Sequence, residues 1–184
     1  MVYSSNRFGL DFFEIISRRR SVRSYSARTV EETKLKRIFE AANSAPSAGN
    51  LQAYRVFAFT DPLKRNALAS AAFDQQFIGQ APVCLVFCAD PARSAEKYGQ
   101  RGSGLYSLQD ATIAASFAML AAVDLGLATV WVGDFDESRV QAVIGSESLR
   151  PVAMLPIGYA SEEPEPTARR AIEEIFAGDF PQTD

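Results

Sequence analysis

The spacing of apolar positions changes several times along this chain, and each change marks an element. Leu10, Phe12, Phe13, Ile15 and Ile16 predict a short first helix that runs into an arginine cluster. Thr29-Val30-Glu31-Glu32 reads as a capping box, a hydroxyl followed three positions later by a carboxylate. It would open a helix whose stripe is Leu35, Ile38, Phe39 and Ala42. Ser44 to Asn50, with Pro46 and Gly49, predicts a loop, and Tyr54 to Thr60 a strand. Asp61-Pro62 is a helix start, with proline in the first turn. Val83 to Ala89 is uniformly apolar and of strand length, so it reads as a buried strand. Asp90 to Gly104 is polar and glycine-bearing and reads as a loop. Leu108 to Leu125 then predicts a long helix, uncharged between Asp110 and Asp124. A helix apolar all round belongs in a core or an interface, and this run is short of the about 20 residues a bilayer needs. Gly126 is suited to end it. Ala128 to Val132 predicts a strand, Gly133-Asp134-Phe135 a turn, and Asp136 the cap of a helix ending at Gly145. Val152 to Ile157 is the last strand, and a Pro- and Glu-rich tail follows.

Helices and strands mix without a strict alternating rhythm, which points to an α+β class. No repeat or internal boundary is visible, so one domain over 1–184 is expected, with 160–184 as an extended tail. The 184 residues, 47% of them hydrophobic, suffice for a full core. A net charge of −3 gives no general attraction to nucleic acid or an anionic membrane. The bases are nevertheless clustered: Arg18, Arg19, Arg20, Arg23 and Arg28 fall where no acid lies between Glu14 and Glu31.

The chain has no histidine. Ser-His-Asp and Cys-His catalysis and His-ligated metals are therefore excluded, and no metal site is expected. Cys84 and Cys88, four apart on one strand, would lie about 13 Å apart, beyond disulfide reach. Two reduced core thiols suit a cytoplasmic protein, and no secretory pattern is read at the start.

Four segments could carry chemistry. Arg19-Arg20-Ser21-Val22-Arg23 offers planar guanidinium forks and a hydroxyl, donors suited to phosphate oxygens. Alone, it better describes a solvated helix end. Pro46-Ser47-Ala48-Gly49-Asn50-Leu51-Gln52 carries two carboxamides that match a heteroaromatic edge, or it is a capped connection. Trp131-Val132-Gly133-Asp134-Phe135 puts a glycine amide at a strand end, or is a plain turn. Gly99-Gln100-Arg101-Gly102-Ser103-Gly104 has the wrong spacing and context for a dinucleotide fingerprint.

Together, in their order, these segments resemble the nitroreductase family of FMN-dependent oxidoreductases, in a short form. The resemblance covers about residues 10–176. It rests on Arg-Arg-Ser-Val-Arg-Ser-Tyr (19–25), Ala-Pro-Ser-Ala-Gly-Asn-Leu-Gln (45–52), Tyr-Gly-Gln-Arg-Gly (98–102) and Gln-Asp-Ala-Thr (109–112). Further along, it rests on Asp-Leu-Gly-Leu-Ala-Thr-Val-Trp-Val-Gly-Asp-Phe (124–135) and Leu-Pro-Ile-Gly-Tyr (155–159). It implies a three-layer fold with a mainly antiparallel central sheet flanked by helices, and a homodimer with FMN at the interface. Arg19, Arg20, Ser21 and Arg23 match the segment that holds the FMN phosphate and a ring edge. Ser47, Asn50 and Gln52 match the loop that approaches the flavin, with Pro46 and Ser47 coming from the partner subunit. Val132 and Gly133 match the backbone beside flavin N5, and Arg169 and Arg170 the basic pair that closes on the phosphate. Where many members continue with Pro and Trp after the Gln, this chain has Ala53-Tyr54. Where many carry a bulkier or acidic residue beside N5, it has Gly133-Asp134. The implied activity is NAD(P)H oxidoreduction by a ping-pong route to a small-molecule acceptor such as a nitroaromatic or quinone. No side chain is assigned as catalytic, since the flavin carries the chemistry. Within the same fold, substrate dehydrogenation, flavin fragmentation and flavin binding without catalysis stay open. The resemblance leaves the acceptor, the choice between NADH and NADPH, and the role of 90–104 undetermined.

Overall fold

The computed structural model describes residues 10–178. Its centre is a four-stranded antiparallel sheet in the order β1-β2-β4-β3: β1 Tyr54–Phe59, β2 Val83–Ala89, β4 Arg150–Gly158 and β3 Ala128–Thr129. Strand β2 is buried along its whole length. Its side chains alternate between faces, as the strand period of two requires. Val83, Leu85 and Phe87 pack with Ile38 and Ala42 of α2 (Glu32–Asn43) and Ala114, Ala115 and Ala118 of α6 (Ser107–Asp124). Cys84, Val86 and Cys88 face Leu68 of α3 (Pro62–Ala71), Ile78 of α4 (Phe77–Gln80) and Val140 of α7 (Glu137–Ile144). Helices thus cover both faces, which gives three layers. The two thiols are free and buried, and burial pushes both up to about 12.

Alanine on the inner face of α6 lets this helix lie close on the sheet, with Ala111, Ala114, Ala115, Ala118 and Ala122 all buried. Gly126 follows in a left-handed conformation (φ 70°), where a Cβ is costly. Asp61 and Asp136 cap α3 and α7 as expected, accepting from the backbone N–H of Leu63 and Arg139.

Three elements depart from the sequence reading. Residues 90–104 do not form a loop. Asp90 caps α5 (Pro91–Arg101), accepting from Arg93 N–H, with Pro91 in the first turn. A π-helical turn, Gly102–Tyr106, joins it to α6. Polarity there marks an exposed helix face, and the Asp-Pro start is the same signal that α3 carries. No capping box forms at Thr29, and α2 begins after Glu31. The Glu31 carboxylate is drawn away, accepting from the Tyr159 hydroxyl at 2.6 Å and from Arg28 at 2.7 Å. Strand β3 is shorter than Ala128 to Val132: regular pairing ends at Thr129 and resumes only as a bridge from Val132 to Met154. Among the described residues, no helix is long and apolar enough to cross a membrane.

Candidate active site

The arginine segment follows α1 (Phe12–Arg18) and docks on the β3 edge. Val22 N–H donates to Thr129 O, Ser26 N–H to Tyr159 O and Ser161 N–H to Ser24 O. Arg19 is half-buried. Burial first, then the charges of Arg169 and Arg20, push its guanidinium below the ordinary arginine range. Among the described residues, neither Arg19, Arg20, Arg23, Arg169 nor Arg170 has a carboxylate within ion-pair distance. Arg19, Arg20 and Arg169 therefore form a positive cluster with no direct ion pair, although the Arg20 guanidinium donates to Ser17 O and Arg19 O.

A groove of about 970 Å³ opens beside them, lined by Arg18, Arg20 and Thr129 on one side and by the tail, with Glu162, Glu163 and Glu165, on the other. The Thr129 hydroxyl is buried on its wall and has no hydrogen-bond partner. Arg23 is turned differently. Its backbone N–H donates to a Glu162 oxygen at 2.6 Å, while its guanidinium is exposed and reaches Ser21 O at 3.4 Å. Ser21 is half-buried, and Arg170 is exposed.

The second segment is a strained loop. Gly49, Asn50 and Gln52 all have φ between 48° and 57°. This left-handed region is sterically open to glycine but costs the other two. Gly49 is also tightly covered: a Cβ there would lie 2.4 Å from the Tyr98 hydroxyl and 2.8 Å from Lys97 Nζ. The loop is held by Asp110, a carboxylate only 2% exposed. Its two oxygens accept from Ala48 N–H at 2.9 Å and Ala53 N–H at 3.3 Å, clamping both ends of the turn to α6. The Ser47 hydroxyl accepts from Gln52 N–H, and the Gln52 amide donates back to Asn43. Pro46 and Ser47 line a second groove, of about 550 Å³, along the outer face of α6.

Val132 exchanges both backbone hydrogen bonds with Met154, which leaves Gly133 exposed at the sheet edge. The Trp131 indole Nε1 lies 3.2 Å from where a Gly133 Cβ would be. Asp110 and Trp131 both fall in segments quoted above, but the sequence gives neither a role. The signal for Asp110 was there: it is the one acid at the head of an otherwise uncharged buried helix. Trp131 stands in the segment of Gly133, and its indole contact there follows only from the fold.

The strand register decides what one chain can bring together. The arginine segment meets Thr129, which pairs through Ile157 to Val83. The strained loop leads into Tyr54, which pairs through Ala89 to Arg150. The two lie on opposite sheet edges, three strand spacings of about 4.8 Å apart, and at opposite strand ends, about 20 Å apart along β2. One chain puts Arg19, Arg20, Arg169 and Gly133 on one edge and Pro46 to Gln52 at the far corner.

A family model described as the nitroreductase family matches residues 16–77 and 64–159. An NADH dehydrogenase of Thermus thermophilus is 32% identical over 186 residues, covering 86% of this chain and 91% of that one. An FMN reductase of Bacillus subtilis, described as acting with NAD(P)H, is 38% identical over 125 residues, covering 62% of this chain and 50% of the relative. Among solved structures, the NADPH:FMN oxidoreductase from Vibrio harveyi complexed with NAD+ superposes with a TM-score of 0.83 at 27% identity. That match covers 93% of this chain and 78% of the other.

Proposed function

The chain belongs to the nitroreductase family and is an oxidoreductase, and we propose that it passes hydride from NAD(P)H through FMN to a nitroaromatic, quinone or similar acceptor in a ping-pong cycle. The observation that carries this reading is the cluster of Arg19, Arg20 and Arg169, none of them in an ion pair among the described residues, beside an open groove. Guanidinium groups without a carboxylate partner suit a phosphate dianion, and planar forks bind its oxygens in pairs. The donor set therefore fits FMN. When bound there, the flavin supplies the two-electron chemistry that no side chain of this chain offers.

The protein's own residues bind and orient. Arg19, Arg20 and Arg169 hold the phosphate, with Ser21 beside them. Arg23, whose amide is engaged by Glu162, adds positive charge from the rim. The Gly133 N–H, on an exposed edge, donates toward the ring, and Val132 fixes that edge through its pair of bonds to Met154. Asn50 and Gln52 offer amide donors and acceptors to the ring's polar edge. They come from the corner that one chain cannot bring to its own arginines, so the site needs two chains. Exposed apolar residues support a homodimer: Phe13 is 79% exposed on α1, Phe117 is exposed on α6, and Ile172 is 63% exposed in the tail.

The purified protein is expected to be yellow and to release FMN on denaturation. A colourless protein that takes up no added FMN contradicts the reading. With NAD(P)H and a quinone, initial-rate lines at several acceptor concentrations should be parallel, since donor and acceptor use one place in turn. Intersecting lines contradict the shared place.

A further inference from the structure

We infer that the outer face of α5, together with Arg55 of β1, is an anion site that takes the phosphates of the nicotinamide dinucleotide. The inference rests on the flavin-oxidoreductase reading for its choice of ligand, and on geometry for the site. A polar cleft of about 270 Å³ lies between Asn43, Gln52, Tyr54, Arg55, Asp90 and Arg93. Two guanidinium groups line it. Its one carboxylate, Asp90, is already engaged as the α5 cap, accepting from Arg93 N–H at 3.0 Å.

Lys97 stands one helical turn beyond Arg93, on the same face. Its Nζ lies against the strained loop, 2.8 Å from where a Gly49 Cβ would be. Arg55, Arg93 and Lys97 are all exposed, and none pairs with a carboxylate among the described residues, Glu96 included. Beyond the helix break at Gly99, Arg101 stacks over Tyr106 with Cζ 5.3 Å from the ring centroid. Tyr98 and Tyr106 meet edge to face at 5.1 Å between the two cations. Cations alternating with aromatic rings are a surface suited to a nucleotide rather than to a lone phosphate.

Position selects the ligand. The cleft shares Gln52 with the loop assigned to the flavin ring of a site whose arginines come from the other chain, so an anion held here stands beside that ring. A reductant whose nicotinamide reaches the ring past this loop carries its diphosphate over Arg55, Arg93 and Lys97.

Lys97→Gln and Arg55→Gln test this, because neither side chain makes a hydrogen bond that supports the fold among the described residues. In the FMN-loaded protein, each change should raise the NADP+ dissociation constant and the KM for NADPH about tenfold, the loss of one charge-assisted contact. FMN content and reduction by dithionite should be unchanged. Inorganic pyrophosphate should compete with NADPH in the parent and not in the double variant. Unchanged NADP+ binding and KM in the double variant overturns the inference, as does pyrophosphate that fails to compete with NADPH. If the protein takes up no FMN, the flavin reading fails on its own. Equilibrium dialysis of NADP+ against the parent and the double variant then still decides the α5 site.

Discussion

Arg19 holds its charge at a cost to the fold, and the proposed phosphate role accounts for it. It is half-buried, flanked by Arg20 and Arg169, and unpaired, so its charge is destabilising until an anion arrives. Arg19→Gln should therefore raise the FMN dissociation constant about tenfold or more, while the flavin-free protein melts at the same temperature or higher. Fluorescence titration and thermal melts check both parts; undiminished FMN binding contradicts the phosphate role. Glu31 is the opposite case, a carboxylate whose charge is well supported. The Tyr159 hydroxyl above all, then a backbone amide and Arg28, hold it at about 2 instead of 4.5. A depressed folded value means stability that is present above about pH 4.5 and lost as pH falls toward 2. The stability difference between the parent and Tyr159→Phe should be largest near neutrality and shrink across that window in chemical denaturation. A difference that does not change with pH contradicts the assignment.

Among the elements, the strained loop depends on α6 more than on itself. Three left-handed residues within four positions persist only when the surroundings hold them, and Asp110 does so with two acceptor oxygens. Asp110→Asn presents an amide N–H₂ to one of those backbone N–H groups. It should destabilise the chain by about 1–3 kcal/mol, read from the denaturation midpoint; a smaller loss means the loop keeps its shape without the clamp. The strands and most helices were legible because their signals are local: the apolar run of β2, the Asp-Pro start of α3, Asp136 before α7, Gly126 after α6. The misread parts were decided at longer range. The helix starts at Glu32, so Thr29 stands two positions before the cap, and the cap residue Glu31 has its carboxylate engaged by Tyr159, 128 residues away. Helix α5 looked like a loop because it buries almost nothing, Ser94 being its one buried residue. Its apolar positions, Ala92, Ala95 and Tyr98, keep helical spacing but are small or polar-tipped, so the segment reads as polar.

For the whole molecule, the sequence singled out segments that could bind, but it could not show that they stand apart. That separation follows from strand order and register, which put the arginine edge and the strained loop at opposite corners of one sheet. The central claim is that each site takes its arginines from one chain and its loop from another. Mixed pairs test it most directly. One chain carries Arg19→Gln with Arg169→Gln, the other Asn50→Ala with Gln52→Ala, and each variant alone binds little FMN. A co-assembled pair rebuilds one intact site, from the arginines of the second chain and the loop of the first. The account predicts about one FMN per mixed pair at concentrations where neither variant alone retains any, and a mixed pair that stays empty contradicts it.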